Sequence, residues 1–305
     1  MSAEPPGVSV VTGGSSGIGA AICDRLLLRG DRVFNIDILP PDQGGAGEYI
    51  PCDITDDGAA AELISVIGER AGYITTLVNN AGGAGSLASL SDMTTSGWSD
   101  TMELLVCAPR RLMTLMLPML KRAGGGSIVN IASVCGLQPG WGGAAYSVAK
   151  AALIHLTSVG AAELAADNIR VNAISPGFIP TPLFGRTRGQ ARQDSLVLQD
   201  AIAAQAHAAQ PVSRSGQPDD IAGAVAYLSD SEAAFITGIN LIVDGGLSLA
   251  PAHMWDPHSQ SPVLRAIAAA GETLAESRMP TKPADGKPAV LDRSLQQSAK
   301  EKNAR

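Results

Sequence analysis

With 305 residues, 45% hydrophobic and 17% charged, the chain has apolar material for a large core, which excludes disorder throughout. The net charge of −7, from 22 basic against 29 acidic residues, denies it the broad electropositive face of a phosphate-backbone binder, so no nucleic-acid partner is expected. Uninterrupted apolar runs fall short of the roughly 20 residues of a membrane span and no basic-then-apolar segment follows Met1, so neither a membrane nor a secreted protein is expected.

The elements alternate from the start. A buried-type strand at Gly7 to Val11 leads through a glycine turn into a helix from Ile18 to Arg29, with Gly30 as its stop. A strand at Arg32 to Asp37 follows, then a Pro- and Gly-rich loop and a strand at Tyr49 to Cys52. A helix opening at Asp53 to Asp56 runs through Arg70, ahead of a strand at Thr75 to Asn79. Beyond it come a long helix near Trp98 to Arg122, a strand at Ser127 to Ile131 and a helix from about Tyr146 to Asp167. The series ends with a strand at Ile169 to Ala173, a helix near Pro218 to Leu228 and a strand at Asn240 to Val243. Strands separated by helices pair in parallel through right-handed crossovers, so the fold class is α/β, a doubly wound Rossmann-type sheet.

Residues 1–250 read as one catalytic domain and 251–305 as an extension. Within the domain, residues 182–217 mix Gly, Arg, Gln and Ala with few strand signals, the composition of a helical lid over a site. In the extension, Pro262 to Ser277 fits a helix and Met279 to Arg305 reads as disordered. Cys23, Cys52, Cys107 and Cys135 form no CxxC pair, and reduced thiols in a cytoplasmic protein are expected. The four histidines are dispersed and suggest no metal site.

Four features carry chemistry. The turn Thr12-Gly13-Gly14-Ser15-Ser16-Gly17-Ile18-Gly19, between strand and helix, lets the backbone approach a pyrophosphate that the helix N-terminus attracts. Asp37, 18 residues after Gly19, suits the adenosine ribose hydroxyls and repels a 2′-phosphate, which selects NAD over NADP. Tyr146 and Lys150 lie one helical turn apart, where an ammonium lowers a phenol pKa and makes it a general acid/base. Ser133, at a strand's carboxyl end, can hydrogen-bond a substrate oxygen. Each feature also has a bland reading by itself: a common glycine turn, a solvated acid, two residues on a helix surface, a turn serine.

Together they resemble the short-chain dehydrogenase/reductase family, over about Gly7 to Gly246. The resemblance rests on TGGSSGIG at Thr12 to Gly19, NNAG at Asn79 to Gly82, and Ser133 with Tyr146 and Lys150. It extends to Pro176-Gly177 with Ile179 and Thr181, Thr237-Gly238, and Val243-Asp244-Gly245-Gly246. It implies Ser133, Tyr146 and Lys150 as catalytic residues and NAD held by Gly13, Ser15, Ser16, Gly17, Ile18, Gly19, Asp37, Asn80, Ala81, Gly82, Pro176 and Gly177. It further implies Asp53 and Ile54 against the adenine, Asn80 near the adenosine ribose, Ile179 and Thr181 at the carboxamide, and Lys150 on the nicotinamide ribose.

One position departs from the family. Leu105, seven residues after Trp98 and 13 before Pro118, stands where such proteins carry an asparagine that holds a water of the proton relay. Leucine has no polar atom to replace that amide, so a slower proton step is expected. The substrate surroundings expected from chain position are Gly83 to Ser86, Val134, Cys135, Leu137, Trp141, Phe178, Leu183 and Phe184. They are mainly apolar, with Arg186 and Arg188 on the lid, and suit a small hydrophobic secondary alcohol or ketone. The alternative is a dinucleotide-bound sensor or scaffold with weak or lost turnover, which Leu105 and the tail would suit. The helices at 98–122 and 146–167 are apolar on more than one face, so a homodimer or homotetramer is expected.

Overall fold

The β-branched run that opens the domain forms β1 (Val8–Thr12), buried along its whole length as a central parallel strand must be. The computed structural model describes residues 7–41, 47–181, 203, 209–256 and 259–278. The chain divides into two compact units, Met1–Trp255 and Asp256–Arg305.

In the first unit β1 is joined by β2 (Arg32–Asp37), β3 (Glu48–Pro51), β4 (Thr76–Asn79), β5 (Gly126–Ile131), β6 (Ile169–Pro176) and β7 (Asn240–Val243). All pair in parallel, in the order β3-β2-β1-β4-β5-β6-β7. Helices α1 (Gly17–Arg29), α2 (Asp57–Ala71), α3 (Thr95–Met102), α4 (Ala108–Arg122), α5 (Ala144–Leu164) and α6 (Pro218–Ser229) supply the crossovers and the covering layers.

Alternation along the strands builds two cores. Val10, Leu77 and Ile128 point to one face, where Leu63 and Ile67 of α2 and Leu112, Met116 and Met119 of α4 meet them. Val11, Val78 and Val129 point to the other, against Ile22 and Leu26 of α1 and Ile221, Val225 and Leu228 of α6. Each such side chain contributes roughly 1.5–3 kcal/mol by leaving water. The doubly wound sheet is thus held from both sides.

Helix ends follow their chemistry. Gly30 stops α1 in the left-handed region at φ 102°, and the Asp56 side chain caps α2 by accepting from Ala59 N at 2.7 Å. The expected long helix over 98–122 is instead α3, a π-helical turn at Glu103–Cys107, then α4. α5 begins two residues before Tyr146 and continues as a 3₁₀ turn at Ala165–Asp167. Ala144–Asp167 is long and apolar enough by composition to cross a bilayer, unlike the short runs expected; here it packs against β6 as a layer of the fold.

The second unit carries helix α7 (Pro262–Arg278), which the sequence placed at Pro262 to Ser277. The expected disorder of 279–305 lies outside the described residues, as does most of the lid at 182–217, with Leu183, Phe184, Arg186 and Arg188.

Candidate active site

β1 and β4 are neighbours, yet the chain leaves β1 toward β2 on one side and β4 toward β5 on the other. Loops at their carboxyl ends therefore diverge and open a crevice. A cleft of about 1040 Å³ lies there. By strand order, Asp37, Asp53 and Ile54 stand at its β2–β3 end, and Ser133, Pro176, Gly177, Ile179 and Thr181 at its β5–β6 end. The glycine turn and Asn80, Ala81 and Gly82 lie between them.

The turn is built for close approach. Gly13 adopts φ 65°, and a Cβ at Gly19 would lie 2.0 Å from Gly13 O and 2.5 Å from Asn80 Nδ2. Asn80 Nδ2 donates to Thr12 O at 2.9 Å and Gly13 O at 3.1 Å, while Thr12 Oγ1 accepts the Asn80 and Ala81 amides at 3.0 Å each. Asn80 is therefore a brace for the turn. At the start of α1, Ser16 offers no side-chain cap and the first turn holds no acid. Ser16, Gly17, Ile18 and Gly19 line the cleft there, so these uncapped positions fit the pyrophosphate of a dinucleotide.

Of the cofactor residues expected from sequence, only Ser15 does not line the cleft. It is buried, its Oγ accepting from Asn35 Nδ2 at 3.2 Å and its N–H donating to Asp37 Oδ2 at 3.1 Å. Asp37 Oδ1 accepts from Leu39 N at 3.1 Å, so two backbone amides fix this carboxylate at the tip of β2. Each oxygen retains a lone pair for a hydroxyl.

At the other end Ser133 follows β5 and accepts from Cys135 N at 3.1 Å. Tyr146 and Lys150 project from the first turns of α5 into the same cleft. The Lys150 Nζ donates to Ile131 O at 2.6 Å and lies 5.7 Å from the Tyr146 ring centroid. Burial pushes the Tyr146 phenol up to about 12, with a hydrogen bond from Ser133 pulling it back. Burial also lowers Lys150 to about 8. In the protein alone burial thus opposes charge on both groups, and the net shift of the phenol is upward where the spacing by itself suggested a lowered value.

The Lys150 shift has a measurable consequence. The unfolded lysine keeps its proton to about 10.5 and the folded one to about 8, so between these values the unfolded chain binds more protons and stability rises with pH. Below about 8 the burial penalty is present in full. Lys150→Met should lack this rise, a difference on the order of 2–3 kcal/mol between pH 7 and 10 by urea denaturation. Equal slopes for parent and variant would contradict a buried ammonium.

Gly83, Ala84, Gly85, Val134, Cys135, Trp141 and Phe178 line the cleft as expected, whereas Ser86 and Leu137 do not. Trp141 and Phe178 meet edge to face, centroids 5.7 Å apart and planes at 88°. Sequence reasoning missed Leu87, Asp100, Glu103, Leu104, Gly142, Gly143 and Leu247. The acids lie where α3 gives way to the π-turn, which a regular helical reading conceals. Leu105 is 1% exposed, and its Cδ2 would meet a Cβ on Gly82 at 3.4 Å. A buried apolar side chain thus stands where the resemblance puts the family's amide.

A family model described as Enoyl-(Acyl carrier protein) reductase matches residues 13–248. Cis-4-hydroxycyclohexanecarboxylate dehydrogenase of Sinomonas cyclohexanicum is 33% identical over 248 residues, covering 78% of this chain and 95% of the relative. Dehydrogenase/reductase SDR family member 4 of Homo sapiens is 32% identical over 249 residues, covering 78% and 86%. Among solved structures, ligand-free aldohexose dehydrogenase of Thermoplasma acidophilum superposes with a TM-score of 0.75 at 32% identity, over 84% of this chain and 97% of that one. With a family model over residues 13–248, relatives above 30% identity and a shared fold, the chain belongs to the short-chain dehydrogenase/reductase family of oxidoreductases.

Proposed function

We propose that this oxidoreductase moves a hydride between NAD(H) and a small hydrophobic secondary alcohol or its ketone, with Tyr146 as general acid/base. The observation that carries the reading is one cleft with Ser133, Tyr146 and Lys150 at one end and an amide-pinned Asp37 at the other. When bound, the oxidised nicotinamide supplies the hydride acceptor and a positive charge that favours phenolate.

The side chains do the rest. The Ser133 hydroxyl donates to the substrate oxygen and fixes it beside the phenol. Tyr146 Oη takes the alcohol proton as the carbinol hydride departs, and returns it in reduction. Lys150, anchored on Ile131 O, places a cation under the Tyr146 ring and presents its remaining donors to the cleft. Leu105 adds no polar atom, so the proton's exit to solvent runs without help from that side chain and is slowed.

The substrate end is walled by Leu87, Val134, Cys135, Trp141, Phe178 and Leu247. Among the described lining residues Lys150 is the one cation, against Asp37, Asp53, Asp100 and Glu103. A neutral ring alcohol suits this wall better than a carboxylate, phosphate or sugar. Incubation with NAD+ and neutral cyclic and aryl secondary alcohols should raise the absorbance of reduced nicotinamide. Tight NAD binding with no turnover on any of them would overturn the reading in favour of a sensor.

The protein is read as a homo-oligomer through α5, where Val148 and Val159 remain 47% and 39% exposed on an apolar helix; sedimentation equilibrium giving 31.1 kDa would refute this. Four free thiols support a cytoplasmic location, which fractionation of the native host tests.

A further inference from the structure

Arg111 has no part in the chemistry described above, yet it joins three segments. Its side chain, 15% exposed, rises from the first turn of α4. Nη1 donates to Ile54 O at 2.8 Å, Nη2 to Glu103 Oε1 at 2.6 Å, and Nε pairs with the Asp57 carboxylate. Ile54 and Glu103 both line the cleft. The guanidinium thus ties the loop after β3 to the π-turn across the end where Asp37 stands.

The π-turn makes this tie possible. Eight residues separate Glu103 from Arg111, which on a regular helix rotates the two about 80° apart. A π-turn absorbs one extra residue, so the separation behaves as about seven and the two side chains come within about 20° of one face. The loop they hold is itself stiff. Asp53 Oδ1 accepts from Thr55 N at 2.9 Å and Thr55 Oγ1 at 2.7 Å, and Asp56 caps α2 one residue later. Within that loop, the carbonyl of Ile54 is the atom that Arg111 holds.

Resting on the cofactor assignment above, we propose that Arg111 is a positioning residue for the adenine half of the dinucleotide. It fixes the distance between Ile54 and the π-turn, and so the width of the cleft at the end far from Tyr146. Glu103 and Asp57 hold the guanidinium in the orientation that serves Ile54 O. Lysine cannot reproduce three divergent contacts from one ammonium.

The test uses two cofactors. With NAD, Arg111→Gln should raise the dissociation constant and KM about tenfold and leave kcat within about twofold. With nicotinamide mononucleotide, which lacks the adenosine half, variant and parent should turn over alike, which also verifies that the variant is folded. Glu103→Gln keeps Arg111 on Ile54 O and should give a smaller rise with NAD alone. Unchanged NAD affinity in Arg111→Gln, or equal losses with both cofactors, would overturn the positioning role. Failure of the parent to bind either cofactor in a fluorescence titration would instead bring down the cofactor assignment itself.

Discussion

Tyr146→Phe should lower kcat about 100- to 10,000-fold while NAD binds as in the parent. In the proposed mechanism the substitution removes the oxygen that would receive the alcohol proton, and it keeps the ring beside Lys150. Among the described residues at that end, neither Lys150 nor Ser133 replaces it as a base. Lys150 is engaged by Ile131 O at 2.6 Å, and the Ser133 hydroxyl already accepts the Cys135 amide. Because burial holds the phenol near 12 in the protein alone, the oxidation rate should climb with pH as phenolate forms in the loaded cleft. Stopped-flow reduction of NAD+ at saturating alcohol measures both. A variant as fast as the parent, with the same pH profile, would remove Tyr146 from the mechanism.

Asp37→Ser should shift the ratio of kcat/KM for NAD over NADP about 100-fold toward NADP. In the parent, amides of Ser15 and Leu39 hold the carboxylate in place at 3.1 Å each, so it cannot swing away from a 2′-phosphate. A like charge placed against it costs several kcal/mol. The serine hydroxyl removes that repulsion and also weakens the bonds to the ribose hydroxyls, so both rate constants move in the expected direction. The two cofactors, compared with one alcohol, give the ratio. An unmoved ratio would mean that selectivity resides elsewhere.

Much of this was legible in the sequence because local rules and global fold agree. Short apolar, β-branched runs of four to six residues gave β2 and β7 at their observed bounds, and Gly30 stopped α1 in the left-handed region as its chemistry requires. The site was legible where spacing alone fixes geometry: Tyr146 and Lys150 on one helical face, and Asp37 at a strand end. It was hidden wherever tertiary packing decides. Ser15 reads as a cleft residue, yet Asn35 beneath it and Asp37 beside it draw it into the wall. The π-turn leaves no mark in an apolar pattern, so Asp100, Glu103 and the reach of Arg111 emerge only from the fold. The phenol pKa depends on burial that no spacing reports.

Deuterium placed on the carbinol carbon of a neutral ring alcohol offers the most direct trial of hydride transfer. After incubation with NAD+ and the protein, the recovered NADH should carry one deuterium at C4, as read by mass spectrometry. Reduced cofactor without label, or NAD+ recovered unreduced beside every such alcohol, would contradict the assignment.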